Sequence, residues 1–387
     1  MSKWPLKPLG EVCDVRIGRT PRRDDPRFCG GNAVWVTVRE LNGGKITSSN
    51  ETVSDNAVRE CMPELVPAGT LLFSFKLSIG KMAVAGCPLY TNEAIAALPI
   101  KNPAELARDF LRYALLRCSH EGTADTAVMG KVLNRRKVQS LPIPLPPLAE
   151  QERIVKLLDE ADGLRKLRAQ ADRRTAELIP ALFHEMFGEV KFAVSPIGDV
   201  TSLVTSGATP RGGEGVYTRE GPYFIRSQNV QMNRLDLAGA ACLPSGVHHQ
   251  MARTQVATGD VLLNITGASI GRVAWVGELD RAANVSQHVC LIRPKPDSVD
   301  SIYLSVLISL PTTQNFILRN QAGASRQALN HKQVRAIEIP LPPLPLQNIF
   351  ARRVSEIRQM ETAQAASRAR LDALFQSMLH RAFNGEL

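Results

Sequence analysis

The sequence predicts an α+β fold: two strand-rich mixed domains joined by two long antiparallel coiled-coil helices, with an internal pseudo-two-fold relating the halves. Three observations carry that expectation. A proline-rich hexamer occurs twice, each stretch before it alternates short apolar runs with Gly, Pro and Asn, and each stretch after it is long, amphipathic and nearly free of glycine.

The repeat is the primary signal, because a missed repeat misassigns the whole fold. Ile143 to Leu148 read Ile-Pro-Leu-Pro-Pro-Leu, and Ile339 to Leu344 read the same six letters 196 positions later. Upstream, Gly18-Arg19-Thr20-Pro21-Arg22 matches Gly207-Ala208-Thr209-Pro210-Arg211, and Trp35-Val36 matches Phe224-Ile225. Ser78-Ile79-Gly80-Lys81 matches Ser269-Ile270-Gly271-Arg272, and Leu133-Asn134 matches Leu329-Asn330. Downstream, Leu182-Phe183 and Met186 match Leu374-Phe375 and Met378. The chain therefore divides into a body at 1–147, a helical connector at 148–188, a second body at 189–343 and a second connector at 344–387.

Within the bodies, apolar runs at Ala33 to Val38, Thr70 to Phe75 and Lys81 to Ala85 read as strands, as do Tyr223 to Arg226, Val261 to Ile265 and Arg272 to Val276. One helix per body fits Leu106 to Arg117 and Ile302 to Leu310. In the connectors, Pro146-Pro147 stops a helix from extending backwards. Apolar residues then recur at Ile154, Leu157, Ala161, Leu164, Ala171 and Leu178, and more loosely at Phe350, Val354, Ile357, Met360, Leu371, Leu374 and Met378. Neither helix is apolar all round, so each needs a partner, and the economical partner is the other. A helix of about 35 residues spans roughly 50 Å, and successive duplex turns lie about 34 to 36 Å apart, so such a spacer could present two heads to one face of DNA.

Charge agrees with a polyanionic partner. The net charge is +10, and it resides in the bodies: 20 basic against 14 acidic residues in 1–147 and 14 against 11 in 189–343, but 7 against 8 in 148–188 and 6 against 4 from 344 onward. No run approaches the roughly 18 apolar residues of a membrane helix, and Met1 to Pro5 lack a signal-peptide core; a cytoplasmic protein is expected. The seven cysteines are scattered and never form CxxC, which favours reduced thiols. Cys242 with His248 and His249 lacks a fourth ligand at motif spacing, so no metal is expected.

The chain resembles the specificity subunits of type I restriction-modification enzymes. The resemblance covers essentially the whole length. It is carried by Leu141 to Leu148 followed by Glu150-Gln151-Glu152-Arg153-Ile154-Val155, which is similar to the family's LPPLxEQxxIV entry to the first spacer helix. Ile339 to Leu344 with Gln347 and Ile349 form a weaker copy, having Pro345-Leu346 where the first has Ala149-Glu150. The family's Gly-Thr-Pro segment and Ser-Ile-Gly-basic turn both occur twice. The resemblance implies that each body is a target-recognition domain reading half of an interrupted, asymmetric double-stranded DNA sequence. It implies docking of two adenine methyltransferase subunits and, in some complexes, a restriction subunit. The cofactors S-adenosylmethionine and ATP then belong to those partners. Partner contacts are expected at Leu148, Gln151, Glu152, Ile154, Leu344 and Gln347, although a Glu in a first helical turn is also ordinary dipole complementarity. The hexamers equally read as plain helix stops.

No catalysis of its own is expected. Every Pro-Pro is followed by Leu, so no Asp/Asn/Ser-Pro-Pro-aromatic motif exists, and Gly44-Lys45-Ile46 and Gly80-Lys81-Met82 lack a phosphate-loop pattern. A nuclease is disfavoured because Pro296-Asp297-Ser298-Val299 has no following Glu-x-Lys. The other alternative, a two-headed coiled-coil scaffold for protein or RNA, gives no reason for a basic excess in both bodies.

DNA contacts follow from side-chain chemistry: phosphates take Lys and Arg, guanine edges take Arg, and adenine edges take Asn or Gln. Arg22, Arg23 and Arg211 lie in the Thr-Pro loops, Lys81 and Arg272 in the Ser-Ile-Gly turns, and Arg135, Arg136 and Lys332 near the domain ends; most suit phosphate. Arg39 and Arg226 with Gln228 and Asn229 follow matching strands, where base contacts are conceivable. Each of these is also compatible with a merely solvated side chain.

Overall fold

The computed structural model describes residues 3–76, 78–120, 134–320 and 328–387. The chain folds as two compact units, Met1–Ala169 with Ala366–Leu387, and Gln170–Ala365.

The first unit contains β1 (Leu6–Pro8), β2 (Arg16–Ile17), β3 (Cys29–Val36), β4 (Lys45–Ile46), β5 (Glu51–Val53), β6 (Leu71–Ser74), β7 (Met82–Ala85), β8 (Tyr90–Thr91), β9 (Ile95–Leu98) and β10 (Pro142–Pro144). A five-stranded sheet runs β2-β9-β6-β7-β4 and a three-stranded sheet runs β5-β3-β8. Strands β6, β7 and β9 are apolar at nearly every position because both faces of the sheet are covered. The two-residue period sorts their side chains. Leu71, Phe73, Val84, Ala96 and Leu98 pack toward Phe110, Leu111 and Ala114 of the helix Arg108–His120, while Leu72, Ala83, Ala85 and Ala97 pack toward Val36, Leu41 and Ile46. A fully enclosed side chain such as Phe73 contributes about 1.5–3 kcal/mol.

The second unit repeats the plan with β11 (Val194–Pro196), β12 (Thr201–Ser206), β13 (Thr218–Ile225), β14 (Val230–Gln231), β15 (Arg234–Leu235), β16 (Val261–Asn264), β17 (Val273–Trp275), β18 (Ala283–Val285), β19 (Val289–Pro294) and β20 (Glu338–Pro340). Its main sheet runs β12-β19-β16-β17, and β13 pairs in parallel with β18 just as β3 pairs with β8. The helix Ser301–Ser309 starts where the Asp300 carboxylate accepts from the Ile302 and Tyr303 amides at 2.8 and 2.9 Å, and buries Tyr303 to Ile308.

Each proline hexamer begins as a strand. β10 pairs with β1 (Leu6↔Pro144, Pro8↔Pro142), and β20 pairs with β11 (Val194↔Pro340, Pro196↔Glu338). Proline is tolerated because each ladder has only two strands, so an absent N–H can face away from the partner. The clasp ties the start of each body to the start of the long helix that follows. The helix-stop reading therefore applies only to the second half of each hexamer, where Pro146-Pro147 and Pro342-Pro343 precede the helices.

The long helices depart from expectation in two ways. The first is Leu148–Ala176, and Leu178–Phe187 is a separate helix. Pro180 accounts for the break, since its ring excludes the carbonyl of Ala176 four residues back. The second helix, Leu344–Asn384, is continuous, its Pro345 lying in the first turn where proline is harmless. The buried stripe also differs. Leu158 is enclosed while Leu164 and Leu178 are 52% and 42% exposed, and Phe375 and Leu379 are enclosed while Met360 and Leu374 are exposed. A 3.6-residue period drifts against a heptad count, and the bodies decide which face is covered. Ile154, Leu158 and Ala161 share the first unit's core with Phe375, Leu379 and Phe383, backed by Arg165 to Asp372 at 2.7 Å. Ile179 and Phe187 share the second unit's core with Phe350, Val354 and Ile357, and Gln364 donates to Thr175 at 3.0 Å. In the first unit the start of Leu148–Ala176 thus meets the end of Leu344–Asn384, and in the second unit the short helix Leu178–Phe187 meets the start of Leu344–Asn384.

Burial pushes the Cys13 and Cys290 thiols up to about 12, so both stay protonated at neutral pH. Among the described residues no three His, Cys, Asp or Glu side chains gather as metal ligands, and His248 is engaged by Asn284. Among the described residues no single helix is long and apolar enough to cross a membrane.

Candidate nucleic-acid interface

Strand register gathers the basic loops of the first unit at one end. The pairs Ile17↔Ala96, Ser74↔Ile95, Phe73↔Met82 and Val36↔Thr91 bring the ends of β2, β6, β3 and β8 together with the starts of β7 and β9. The segments leaving these points carry Arg19, Arg22, Arg23, Arg39, Lys76 and Lys81, interspersed with Asp24, Glu40 and Glu93. Such a loop cluster on a rigid sheet end is where binding residues are most readily placed.

Each loop has a visible local cause. At Gly18 a Cβ would collide with the carbonyl oxygens of Thr91 and Asn92, so glycine is what lets the loop cross so close to β8. The Arg19 amide donates to Thr91 at 2.8 Å, and the Trp35 indole donates to the Arg19 carbonyl at 3.0 Å. Farther along, the Arg23 guanidinium sits 5.6 Å from the Trp35 ring and 3.4 Å from a Glu51 oxygen. Arg39 projects from the single turn Val38–Glu40, where Glu40 accepts from the Thr37 amide at 2.7 Å and the Asn50 amide at 2.8 Å. Lys81 leaves a turn in which Gly80 has φ +91° and Ser74 Oγ accepts from the Lys81 amide at 2.9 Å.

The second unit reproduces this end. Gly207 lies against the Val285 carbonyl with no room for a Cβ. Gly271 has φ +87°, and its amide donates to Asn264 at 2.9 Å, as the Gly80 amide donates to Ser74 at 3.0 Å. Arg211 is exposed in the Thr-Pro loop. Arg226 lies 5.3 Å from the Tyr217 ring and 3.4 Å from Glu214, so, like Arg23, it sits between an aromatic face and a carboxylate. Arg272 donates to Gln231 at 3.0 Å. Lys332 is exposed on the helix His331–Arg335, whose first residue contacts Ser206 at the end of β12 at 3.1 Å. Burial, then Arg335 and Arg253, lower the pKa of His331, holding it neutral beside these cations.

Four expected positions are corrected. Asn229 is only 5% exposed; its Oδ1 accepts from the Arg226 amide and its Nδ2 donates to Asp236, both at 3.0 Å, so it shapes the loop and cannot reach a base. Gln151 and Gln347 are fully enclosed and offer no partner surface. Gln151 accepts from the Ala107 amide at 2.9 Å and donates to Glu105 and Pro146 at 2.7 and 2.9 Å; Gln347 accepts from Asp300 at 2.9 Å and donates to Pro342 at 2.8 Å. Each glutamine fastens its helix to its own body. Ile154 is likewise buried in the core, leaving Glu152 exposed and Leu148 and Leu344 half-buried. Gln228 is exposed, as are Arg135 and Arg136 on the helix Arg135–Gln139, capped by Asn134. Leu133 lies outside the described residues.

Sequence reasoning missed Arg19, Trp35, Glu40, Tyr217, Gln231 and Asn264. For Asn264 a signal existed: it is a polar residue ending an apolar strand directly before the Ser-Ile-Gly turn, aligned with Ser74.

The model of the type I restriction modification DNA specificity domain matches residues 1–172 and again 189–367. The type I restriction enzyme EcoBI specificity subunit of Escherichia coli is 27% identical over 342 residues, covering 78% of this chain and 70% of that one. The fold is similar to a chain solved in work on assembly and conformational transition of the type I R-M system, at a TM-score of 0.62 and 20% identity, covering 99% of this chain and 98% of that one. It is also similar to the type I restriction-modification S subunit from M. genitalium, at a TM-score of 0.59 and 12% identity, covering 99% and 96%.

Proposed function

We propose, from the premise that this chain belongs to the type I restriction-modification DNA specificity family, that it reads a bipartite, asymmetric DNA target, one half-site per unit. The observation that carries this reading is the duplicated loop cluster, with the same close-approach glycine and the same Ser-Ile-Gly-basic turn built on different surrounding residues. A shared plan with unlike side chains is what reading two different half-sites requires. Arg22, Arg23, Arg39, Lys81, Arg135 and Arg136 serve the first half-site, and Arg211, Arg226, Gln228, Arg272 and Lys332 serve the second. Two methyltransferase subunits dock on the helical connectors 148–188 and 344–387, with Glu152, Leu148 and Leu344 among the contacts, and a restriction subunit can join them. The bodies 1–147 and 189–343 act as target-recognition domains. The chain performs no catalysis, S-adenosylmethionine and ATP being handled by its partners, and it works in the cytoplasm.

Two measurements test this. Deleting the gene should erase one bipartite adenine-methylation motif from the genome; a motif that persists undiminished removes the proposal. Inserting about four residues, one helical turn, near Thr175 should alter the number of unread base pairs between half-sites. Unchanged spacing with both halves still recognised would show that the helices are not the ruler.

A further inference from the structure

Asn264 ends β16 with its side chain wholly enclosed. Its Nδ2 donates to the Ser227 carbonyl at 2.8 Å and the Val230 carbonyl at 3.3 Å, that is, to both ends of the loop bearing Gln228 and adjoining Arg226. Two carbonyl acceptors fix which way the amide faces. Its Oδ1 is then buried without a hydrogen-bond partner, an unfavourable state that a small aliphatic residue would avoid. Packing alone therefore gives no reason for asparagine here; the two donated hydrogen bonds do.

The same residue holds the Ser-Ile-Gly-Arg turn through its backbone. The Asn264 amide donates to the Arg272 carbonyl at 2.8 Å and its carbonyl accepts from Gly271 at 2.9 Å. On the far side Arg272 Nη1 donates to Gln231 Oε1 at 3.0 Å, and Gln231 Nε2 donates to the Gln228 carbonyl at 2.7 Å. A closed circuit thus joins the loop at Arg226 and Gln228 to the turn at Arg272. The first unit has no such circuit among the described residues. Ser74, aligned with Asn264, donates to Ser78 at 2.7 Å and accepts from Lys81 at 2.9 Å, staying within its own turn, while Glu40 closes the Arg39 loop separately.

We propose that Asn264, together with Gln231, is a positioning residue that couples the base-reading loop of the second unit to its phosphate-contacting turn. Discrimination at the second half-site then depends on it, and discrimination at the first does not. This rests on the reading given above. Phosphate contacts set register and base edges carry sequence, so a rigid link between the two passes the register set at Arg272 to Arg226 and Gln228. Without the link, phosphate attraction survives while the reading groups lose their aim.

The test uses the full chain in complex with its methyltransferase subunits, carrying Asn264→Ser or Gln231→Ala. Readouts are the methylated motif and binding to duplexes with the cognate site or a single mismatch in either half. The expected result is a fall of about tenfold in discrimination at the second half-site, comparable to losing one base contact. The first half-site and the salt dependence of binding should be unchanged. Full retention of both half-sites with only slower methylation overturns the proposal, and so does equal loss in both halves. If Asn264→Ser fails to fold, Gln231→Ala decides alone, and undiminished discrimination in it is equally fatal. Failure of the underlying reading looks different: the unsubstituted complex would give no bipartite motif at all.

Discussion

Gly207→Ala is expected to destabilise the second unit by about 3 kcal/mol, the upper range for forcing an atom into a filled site. The cause is steric rather than conformational. A Cβ at this position would meet the Val285 carbonyl oxygen and carbon and the Ser286 carbonyl carbon inside or at 3.0 Å, a separation real Cβ atoms do not show. Those atoms are main chain at the end of β18, so no side-chain rotation relieves the overlap; the end of β12 must move away from β18. In a unit of this size the loss corresponds to a fall of roughly 6–12 °C in melting temperature. Gly215→Ala is the matched comparison, because a Cβ there meets nothing within 4 Å. That variant should stay within about 0.5 kcal/mol of the parent. Calorimetry of both would decide, and a Gly207→Ala protein melting with the parent would show that the strand ends are free to separate. Gly18 makes the corresponding approach to Thr91 in the first unit, so the two substitutions should act alike.

That glycine pair also shows what could be read in advance. The recurrence of Gly-x-Thr-Pro at the head of each body was legible as a motif, but its reason, a strand end passing over a neighbouring carbonyl, exists only once β2 and β8 are side by side. Strand positions such as Val261 to Ile265 and the helices near Leu106 and Ile302 were legible because their apolar runs are long and bounded by turn residues. The hexamers were legible as punctuation and not as strands, since proline argues against a ladder unless the ladder has a free edge, and edges are a tertiary property. The resemblance implies a partner contact at Gln151, a residue type that is usually exposed. Its burial follows from the carbonyls of Glu105 and Pro146 needing a donor where the chain turns into the helix, a demand invisible in local sequence. The same holds for Asn229, whose neighbours in sequence suggest a reading loop while its own side chain closes that loop. The break at Pro180 was readable by rule and overlooked behind the apolar periodicity.

Removing cations from the sheet end should separate phosphate contacts from base contacts by their salt dependence. Arg22 and Lys81 are exposed at that end of the first unit, Lys81 on a turn whose geometry is set by backbone and Ser74; on the function proposed above each contacts a phosphate and releases about one counterion. The double variant Arg22→Gln with Lys81→Gln should flatten the slope of log K against log salt by about 1.8. Between 50 and 200 mM salt that is about a tenfold smaller loss of affinity for the variant than for the parent, measured by anisotropy on the complex with its methyltransferase subunits. Cognate and mismatched duplexes should weaken in parallel, because phosphates are the same in both. Arg226→Gln should behave in the opposite way. Its guanidinium is already oriented by Tyr217 and Glu214, and an oriented guanidinium suits a guanine edge, where a correct contact discriminates by about 1–3 kcal/mol. Its loss should therefore shrink the gap between cognate and mismatched second half-sites. If Arg226→Gln instead changes only the salt slope, the arginine held by ring and carboxylate is a phosphate ligand, and base reading in the second unit must be sought at Gln228.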